Sequence, residues 1–307
     1  MRKDGLVGKV KVEKSTRFAF WINRICRQVF PGIAIFYHLT RIGQNPLITA
    51  VILVGVWSCT SHKEGSEIDK LPIYQTDQFR LIPGEKLEYQ ANAGVFNVGN
   101  LTLSVLEKME GCGGKVCAHI QAKAATRSGI SWLSQIHHAW DSWIDTSSGL
   151  SKRMLRNVQE NKYHAEQELW FFPDSNLIVQ TELHKSGKPQ KNFDSQPYRM
   201  IDLVNAIWKI RYTPFEDHVK GDTLQYASFF DGEWLVMKLR FGGSGVLKSK
   251  GKRVDCFVLY PLGISSKFLR GQEPSEIWIE KATARRPLRV KVSTYFGNLS
   301  IDLKNSL

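Results

Sequence analysis

The residues best suited by type and spacing to do chemistry are His137, Asp141 and Asp145, in the segment Ile136-His-His-Ala-Trp-Asp-Ser-Trp-Ile-Asp145. In a strand, successive side chains point to opposite faces. His137, Ala139, Asp141, Trp143 and Asp145 therefore share one face, and His138 lies on the other. One imidazole and two carboxylates on one face are the groups used in general acid–base catalysis and in metal binding. The spacing supplies no third firm metal ligand and nothing to orient the ring. A polar sheet face, with its carboxylates bonded to neighbouring strands or to Arg156, is the preferred reading. The three residues stand as a candidate polar or ligand site, with no catalytic residue, metal or cofactor assigned.

Other motifs are negative. Phe241-Gly-Gly-Ser-Gly245 lacks the Gly-Lys-Ser/Thr ending and the following helix of a phosphate loop, and reads as a strand-to-strand loop. There is no Gly-x-Ser-x-Gly elbow and no His-Glu-x-x-His. Of the five cysteines, Cys112 and Cys117 lie five apart without a second pair, which is not a zinc set. Four intervening residues suit a tight hairpin closed by a disulfide, which an oxidising compartment would allow. Cys256 sits in an apolar strand and reads as a small packed hydrophobe.

The net charge of +13 invites a nucleic-acid reading until it is located. Residues 1–58 hold nine Lys/Arg against Asp4 and Glu13, leaving +6 dispersed over the remainder. Dispersed positive charge is a solvated surface, and nucleic acid is not expected as a partner.

The first sixty residues read as an address. Leu47–Trp57 is an apolar run of about eleven residues, too short to span a bilayer as a helix, which takes about twenty. After a Lys/Arg-rich stretch it suits the apolar region of a secretory signal. It ends Val56-Trp-Ser-Cys59, which resembles the lipobox of bacterial lipoproteins, although Trp57 is bulkier than usual. The resemblance implies cleavage before Cys59 and acylation of that residue, anchoring the protein to the periplasm-facing side of the inner or outer membrane. The length of the preceding stretch, with no Met between Met1 and Met109, is compatible with a start at a non-Met codon near Arg41 to Leu47. We therefore expect a targeting segment over 1–58, a polar tether over 59–78 and one domain over 79–307.

That domain is predicted mainly β. Period-two alternation marks strands at residues 85–90, 95–105, 116–122, 140–145, 163–171, 223–229, 233–241, 253–260, 276–280, 288–295 and 298–303. Phe230-Asp-Gly232 between two alternating runs is the strongest hairpin signal. A short helix is predicted over Ser128–Ile136. A second, over Met200–Arg211, has Leu203, Ala206, Ile207 and Ile210 on one face and Asp202 as its cap or as the ion-pair partner of Arg211. So many strands imply a large curved antiparallel sheet, closing into a barrel or a two-layer sandwich with one or two short helices packed on it.

Ordered short segments carry a family resemblance: Pro83-Gly-Glu-Lys-Leu-Glu-Tyr89, Phe96-Asn-Val-Gly-Asn-Leu-Thr-Leu103, Trp140-Asp-Ser-Trp-Ile-Asp145, Arg156-x-x-Gln-Glu160-x-x-Tyr163, Asp202-Leu-Val-Asn-Ala206 ahead of Arg211, Arg253–Pro261 and Arg286-Pro287. From about Phe79 to Leu303 the chain resembles the bacterial domain-of-unknown-function 3108 family. The resemblance implies a β-rich fold and export, and it carries no assigned activity. Seven tryptophans after Cys59 read as large core rings, with an apolar groove for acyl chains or a platform for sugars as the functional alternative. The expected function is a non-catalytic envelope protein that binds a lipid or glycan ligand, or docks an envelope protein partner. An envelope hydrolase working through His137, Asp141 and Asp145, and a scaffold without a ligand, are the alternatives.

Overall fold

The computed structural model describes residues 80–130, 135–194, 201–230, 232–262, 275–294 and 297–307. The targeting segment, the tether with Cys59, and Trp132 lie outside the described residues.

Among the described residues fifteen strands form one antiparallel sheet: β1 (Lys86–Ala93), β2 (Phe96–Val105), β3 (Glu110–Cys112), β4 (Lys115–Thr126), β5 (Ile136–Asp145), β6 (Ser151–Glu160), β7 (Tyr163–Phe172), β8 (Leu177–Glu182), β9 (Gln190–Asp194), β10 (Thr223–Phe230), β11 (Glu233–Ser249), β12 (Lys252–Leu262), β13 (Glu276–Glu280), β14 (Pro287–Thr294) and β15 (Gly297–Ser306). Helix α1 (Leu203–Arg211) falls between β9 and β10. Neighbours in the sheet are neighbours in the chain, except that β15 pairs with β1 and β2 pairs with β4, with β3 hanging from β4. The hydrogen-bonded order therefore starts at β10 and ends at β9, and the break falls where the helix is inserted.

The sheet is not closed into a barrel. Its edges meet through side chains: the Phe193 ring of β9 lies 5.1 Å from Phe229 of β10. The chain leading into α1 also pairs with the β10 edge, with Asp202 bridged to Phe229 and the Phe229 amide donating to the Ile201 carbonyl at 2.8 Å. This covers backbone groups that an edge strand would otherwise present to another chain. Leu87, Leu103, Ile120, Trp140, Met154, Leu169, Ile178, Tyr226, Leu239, Leu259, Ile277 and Ile301 belong to one apolar cluster with Leu203, Val204, Trp208 and Ile210 of the helix. Sheet residues that join this cluster define the inner face.

Helix α1 is anchored by its expected cap and by polar partners that its sequence position could not reveal. Asp202 caps it, accepting from the Asn205 amide at 3.0 Å, and takes a second bond from the Ser142 hydroxyl at 2.5 Å. Burial pushes the Asp202 carboxyl up despite those bonds. Arg211 is wholly buried and pairs with Glu85 rather than Asp202, through Nη2–Oε1 at 2.7 Å and Nη1–Oε2 at 3.1 Å, lying over the Trp208 ring at 4.4 Å. A buried guanidinium needs such a bidentate partner, because desolvation otherwise outweighs its attraction.

Three elements differ from expectation. Of the helix predicted over Ser128–Ile136, Ser128–Ile130 form a 3₁₀ turn and Ile136 opens β5, while residues 131–134 lie outside the described residues. Phe241–Gly245 is not a loop: it lies inside the 17-residue β11, with a register shift between Phe241 and Gly243. The glycines are there for space. A Cβ on Gly242 would meet the Tyr260 ring at 2.4 Å, and one on Gly245 the Trp278 ring at 2.9 Å. Third, β6, β8 and β9 complete the wall on the far side of β5. Among them, β6 mixes charge into both faces, which hides its alternation.

Candidate functional site

The expected trio is divided by the fold. His137, Asp141 and Asp145 do share the outer face of β5, and His138 points inward, as alternation requires. At about 3.3 Å rise per residue, however, each is separated from the next by roughly 13 Å. His137 is exposed at the start of the strand. Asp145 is committed to the β5–β6 turn, where its carboxylate accepts from the Ser147 amide and hydroxyl at 2.9 and 2.7 Å and from the Ser148 hydroxyl at 2.9 Å. Burial works to raise this carboxyl, but those bonds outweigh it and hold it below the ordinary value. Among the described residues no group of three or more His, Cys, Asp or Glu is placed to hold a metal ion.

Asp141 belongs instead to an outer-face cluster. Register sets His119, Trp143, Arg153 and Trp170 side by side across β4, β5, β6 and β7. The His119 ring stacks on Trp143 with centroids 4.2 Å apart, and the guanidinium of Arg153 on β6 lies 4.6 Å from the same Trp143 ring and 5.3 Å from Trp170. His119 Nε2 meets Asp141 Oδ1 at 2.7 Å and its Nδ1 meets Glu110 Oε1 at 3.4 Å. Gln121 donates to Asp141 at 2.7 Å, Trp143 Nε1 to Glu110 at 2.8 Å and Arg153 Nε to Glu168 at 2.8 Å. The Trp143 bond chiefly holds Glu110 below the ordinary carboxylate value. Both nitrogens of His119 face carboxylates, so neither side of the ring is open to a substrate. The cluster stabilises the sheet's outer layer.

Cys112 and Cys117 join this layer as two buried thiols, and the expected disulfide is not formed. The turn at Gly113-Gly114 sets Cys112 opposite Lys115 and Cys117 opposite Glu110, so the cysteines are diagonal rather than facing. The Cys117 thiol donates to the Cys112 carbonyl at 3.8 Å, and burial pushes it up to about 12. Cys256 is a buried member of the main core, as its apolar strand implied.

The inner face of the same strands is different. Its side chains fall in rows that run across the sheet. One row is Leu103, Ala122, Trp140, Arg156, Gln167 and Glu182. The next, toward the start of β5, is Leu101, Ala124, His138, Val158 and Ala165. In the first row Arg156 donates to Gln167 at 2.7 Å, Gln167 to Glu182 at 2.7 Å, and Gln180 from the adjoining row also to Glu182 at 2.9 Å. Burial raises Glu182, yet the two amide bonds outweigh it and hold the carboxyl below its ordinary value. In the second row His138 Nε2 lies 2.9 Å from Glu160. Buried on this wall, both ring nitrogens of His138 and Gln180 Oε1 have no hydrogen-bond partner among the described residues; Nε2 is close to Glu160 but not in hydrogen-bonding geometry. Buried polar groups are nearly always paired, so the wall is where a polar ligand would gain most. Sequence reading missed it because its members come from four strands, two of them unmarked by alternation.

The fold and this wall define an open antiparallel β-sheet protein wrapped on one apolar core, with a helix packed in that core and a buried polar strip along one side. The chain belongs to the family described as protein of unknown function DUF3108, whose model matches residues 88–304. No curated protein matches the chain. Among solved structures it is similar to a beta-barrel-like protein of domain of unknown function DUF1849 from Brucella abortus, at 8% identity and a TM-score of 0.47, covering 75% of this chain and 98% of that one.

Proposed function

We propose that the chain is a lipid-anchored protein of the bacterial cell envelope whose β domain binds an amphipathic or glycan ligand without transforming it, in envelope assembly or maintenance. The observation that carries this is the inner wall of β5–β8. There a row of guanidinium, amide and carboxylate groups adjoins a mostly apolar row that holds His138, and both His138 ring nitrogens and Gln180 Oε1 are buried without a hydrogen-bond partner among the described residues. Planar amides, carboxylates and guanidinium groups match the hydroxyls of a glycan, while leucine and alanine rows suit an alkyl chain. On this reading the sheet acts as a barrel-like sleeve, with its β9–β10 seam as the place where it yields. Anchoring through Cys59 would keep the domain at a membrane facing the periplasm; three acyl chains, at about 0.8 kcal/mol per buried methylene, make such attachment effectively permanent.

Native mass spectrometry of protein purified without its anchor is the test. A co-purified lipid or glycan supports the reading, and a bare protein in every preparation turns it into a scaffold. If nothing co-purifies and His137→Ala abolishes the cellular phenotype while leaving the fold intact, the protein is an enzyme. Labelled palmitate should enter the wild-type chain and not Cys59→Ala; an unlabelled wild-type chain in the membrane fraction would remove the anchor.

A further inference from the structure

We propose that His138 and Glu160 form a head-group subsite that accepts the hydroxyl of an amphipathic polyol, a molecule with a sugar-like head and an alkyl tail. This rests on the binding role proposed above and narrows it to one ligand chemistry.

His138 is 7% exposed, on the inner row Leu101–Ala124–His138–Val158–Ala165. Its row neighbours Ala124 and Val158 are hydrocarbon. Glu160 lies 2.9 Å from Nε2. Glu160 is one row nearer the strand ends and pairs across β6–β7 with Tyr163, so the dyad lies at the rim of the inner face rather than in its depths. Neither ring nitrogen, Nε2 or Nδ1, has a hydrogen-bond partner among the described residues.

The carboxylate decides the tautomer. A carboxylate beside one ring nitrogen accepts its proton's hydrogen bond, and the other nitrogen of the neutral ring is then left as an acceptor. The Glu160 carboxylate, 2.9 Å from Nε2 but not aligned for a hydrogen bond, favours the proton on that nitrogen, which leaves the Nδ1 lone pair toward the interior. A lone pair requires a donor. A hydroxyl or an amide N–H supplies one, whereas an ionised carboxylate or a dianionic phosphate does not. The adjoining apolar row, with Ala122 and Ala124 leaving the wall low beside Leu101, suits a chain of methylenes. A hydroxyl head with an alkyl tail satisfies both rows together. A fatty-acid anion satisfies only the second, and a free sugar only the first.

Calorimetric titration of the full chain carrying Cys59→Ser, so that no acyl group competes, separates these cases. The probes are n-octyl glucoside below its micellar concentration, octanoate and glucose. We expect saturable binding of octyl glucoside, with Kd at least tenfold weaker for octanoate and for glucose. His138→Ala should weaken octyl glucoside tenfold or more and leave octanoate unchanged. His138→Gln restores an acceptor and should recover part of the affinity, which keeps the test decisive if the alanine variant folds poorly. Glu160→Leu should weaken binding, because nothing then favours the proton on Nε2, while Glu160→Gln, whose amide oxygen can still sit beside Nε2, should weaken it less. Octyl glucoside binding that is indifferent to His138→Ala, or no stronger than octanoate, overturns the subsite and leaves the binding role standing. Absence of binding by any probe, with nothing co-purified, overturns both.

Discussion

The two faces of β5 carry similar residue types and have opposite outcomes. On the outer face His119 is held between Asp141 and Glu110, its ring pressed on Trp143, and the carboxylates take further bonds from Gln121 and Trp143. On the inner face His138 lies beside one carboxylate, and neither of its ring nitrogens has a hydrogen-bond partner among the described residues. A histidine with both nitrogens engaged is a structural cross-link, and one whose nitrogens are unpaired still has bonds to give. The difference follows from position: Glu110 reaches His119 and Trp143 because the β3–β4 hairpin continues the outer layer past β4.

The comparison can be broken most severely at Trp143, the ring between His119 and Arg153. Trp143→Ala should cost about 3–5 kcal/mol in denaturant unfolding, the range for truncating a packed aromatic; a cost under about 1 kcal/mol would mean that the outer stack does not hold the sheet. Asp141→Ala comes next. It leaves the Nε2 side of a buried ring and the Gln121 amide unpaired, and we expect about 1–3 kcal/mol by the same measurement.

Acid separates the two faces further. Glu110 and Asp145 outside and Glu182 inside are all held below their ordinary values. A carboxyl with a depressed native value contributes stability that is present above its unfolded value and is lost as pH falls through the native one. Thermal stability should therefore be level above about pH 4.5 and fall below it, partly offset by Asp202, whose raised value works in the opposite sense. Glu182→Gln keeps an acceptor for Gln167 and Gln180 and should flatten that fall; an unchanged acid limb would assign the loss to the outer face.

Thiol reactivity is a smaller effect. The thiolate is the reacting species, and burial pushes Cys117 up to about 12 and Cys256 to about 11. Alkylation of the native domain at pH 8 should be on the order of 100-fold slower than that of a free thiol. Rapid labelling of Cys117 would show that the β3–β4 hairpin opens. The smallest effect belongs to His137. His137→Ala should change stability by no more than about 0.5 kcal/mol, the usual bound for an exposed site. In a double-mutant cycle with Asp141→Ala its coupling should stay below about 0.5 kcal/mol, since distant side chains act independently.

Alternation alone was enough to place His137, Asp141 and Asp145 together on one side of β5 and His138 on the other, because the two-residue period of a strand is a property of the backbone. It also marked β1, β2, β10 and β12 to β15 to within a few residues, and the spacing of Asp202, Leu203, Ala206 and Ile210 identified α1 with its cap. The family segments were legible for the same local reason, and the family model matches over residues 88–304. Register was not legible. That Trp143 faces His119 and Arg153, that Arg211 reaches across 126 residues to Glu85, and that Glu160 sits beside His138 depend on how strands align. So does the diagonal offset that leaves Cys112 and Cys117 as thiols. The sequence by itself determined which side chains could share a face. The tertiary structure decided which of them touch, because side-chain pairing across a sheet is set by the packing of the whole core and shifts with every bulge and turn.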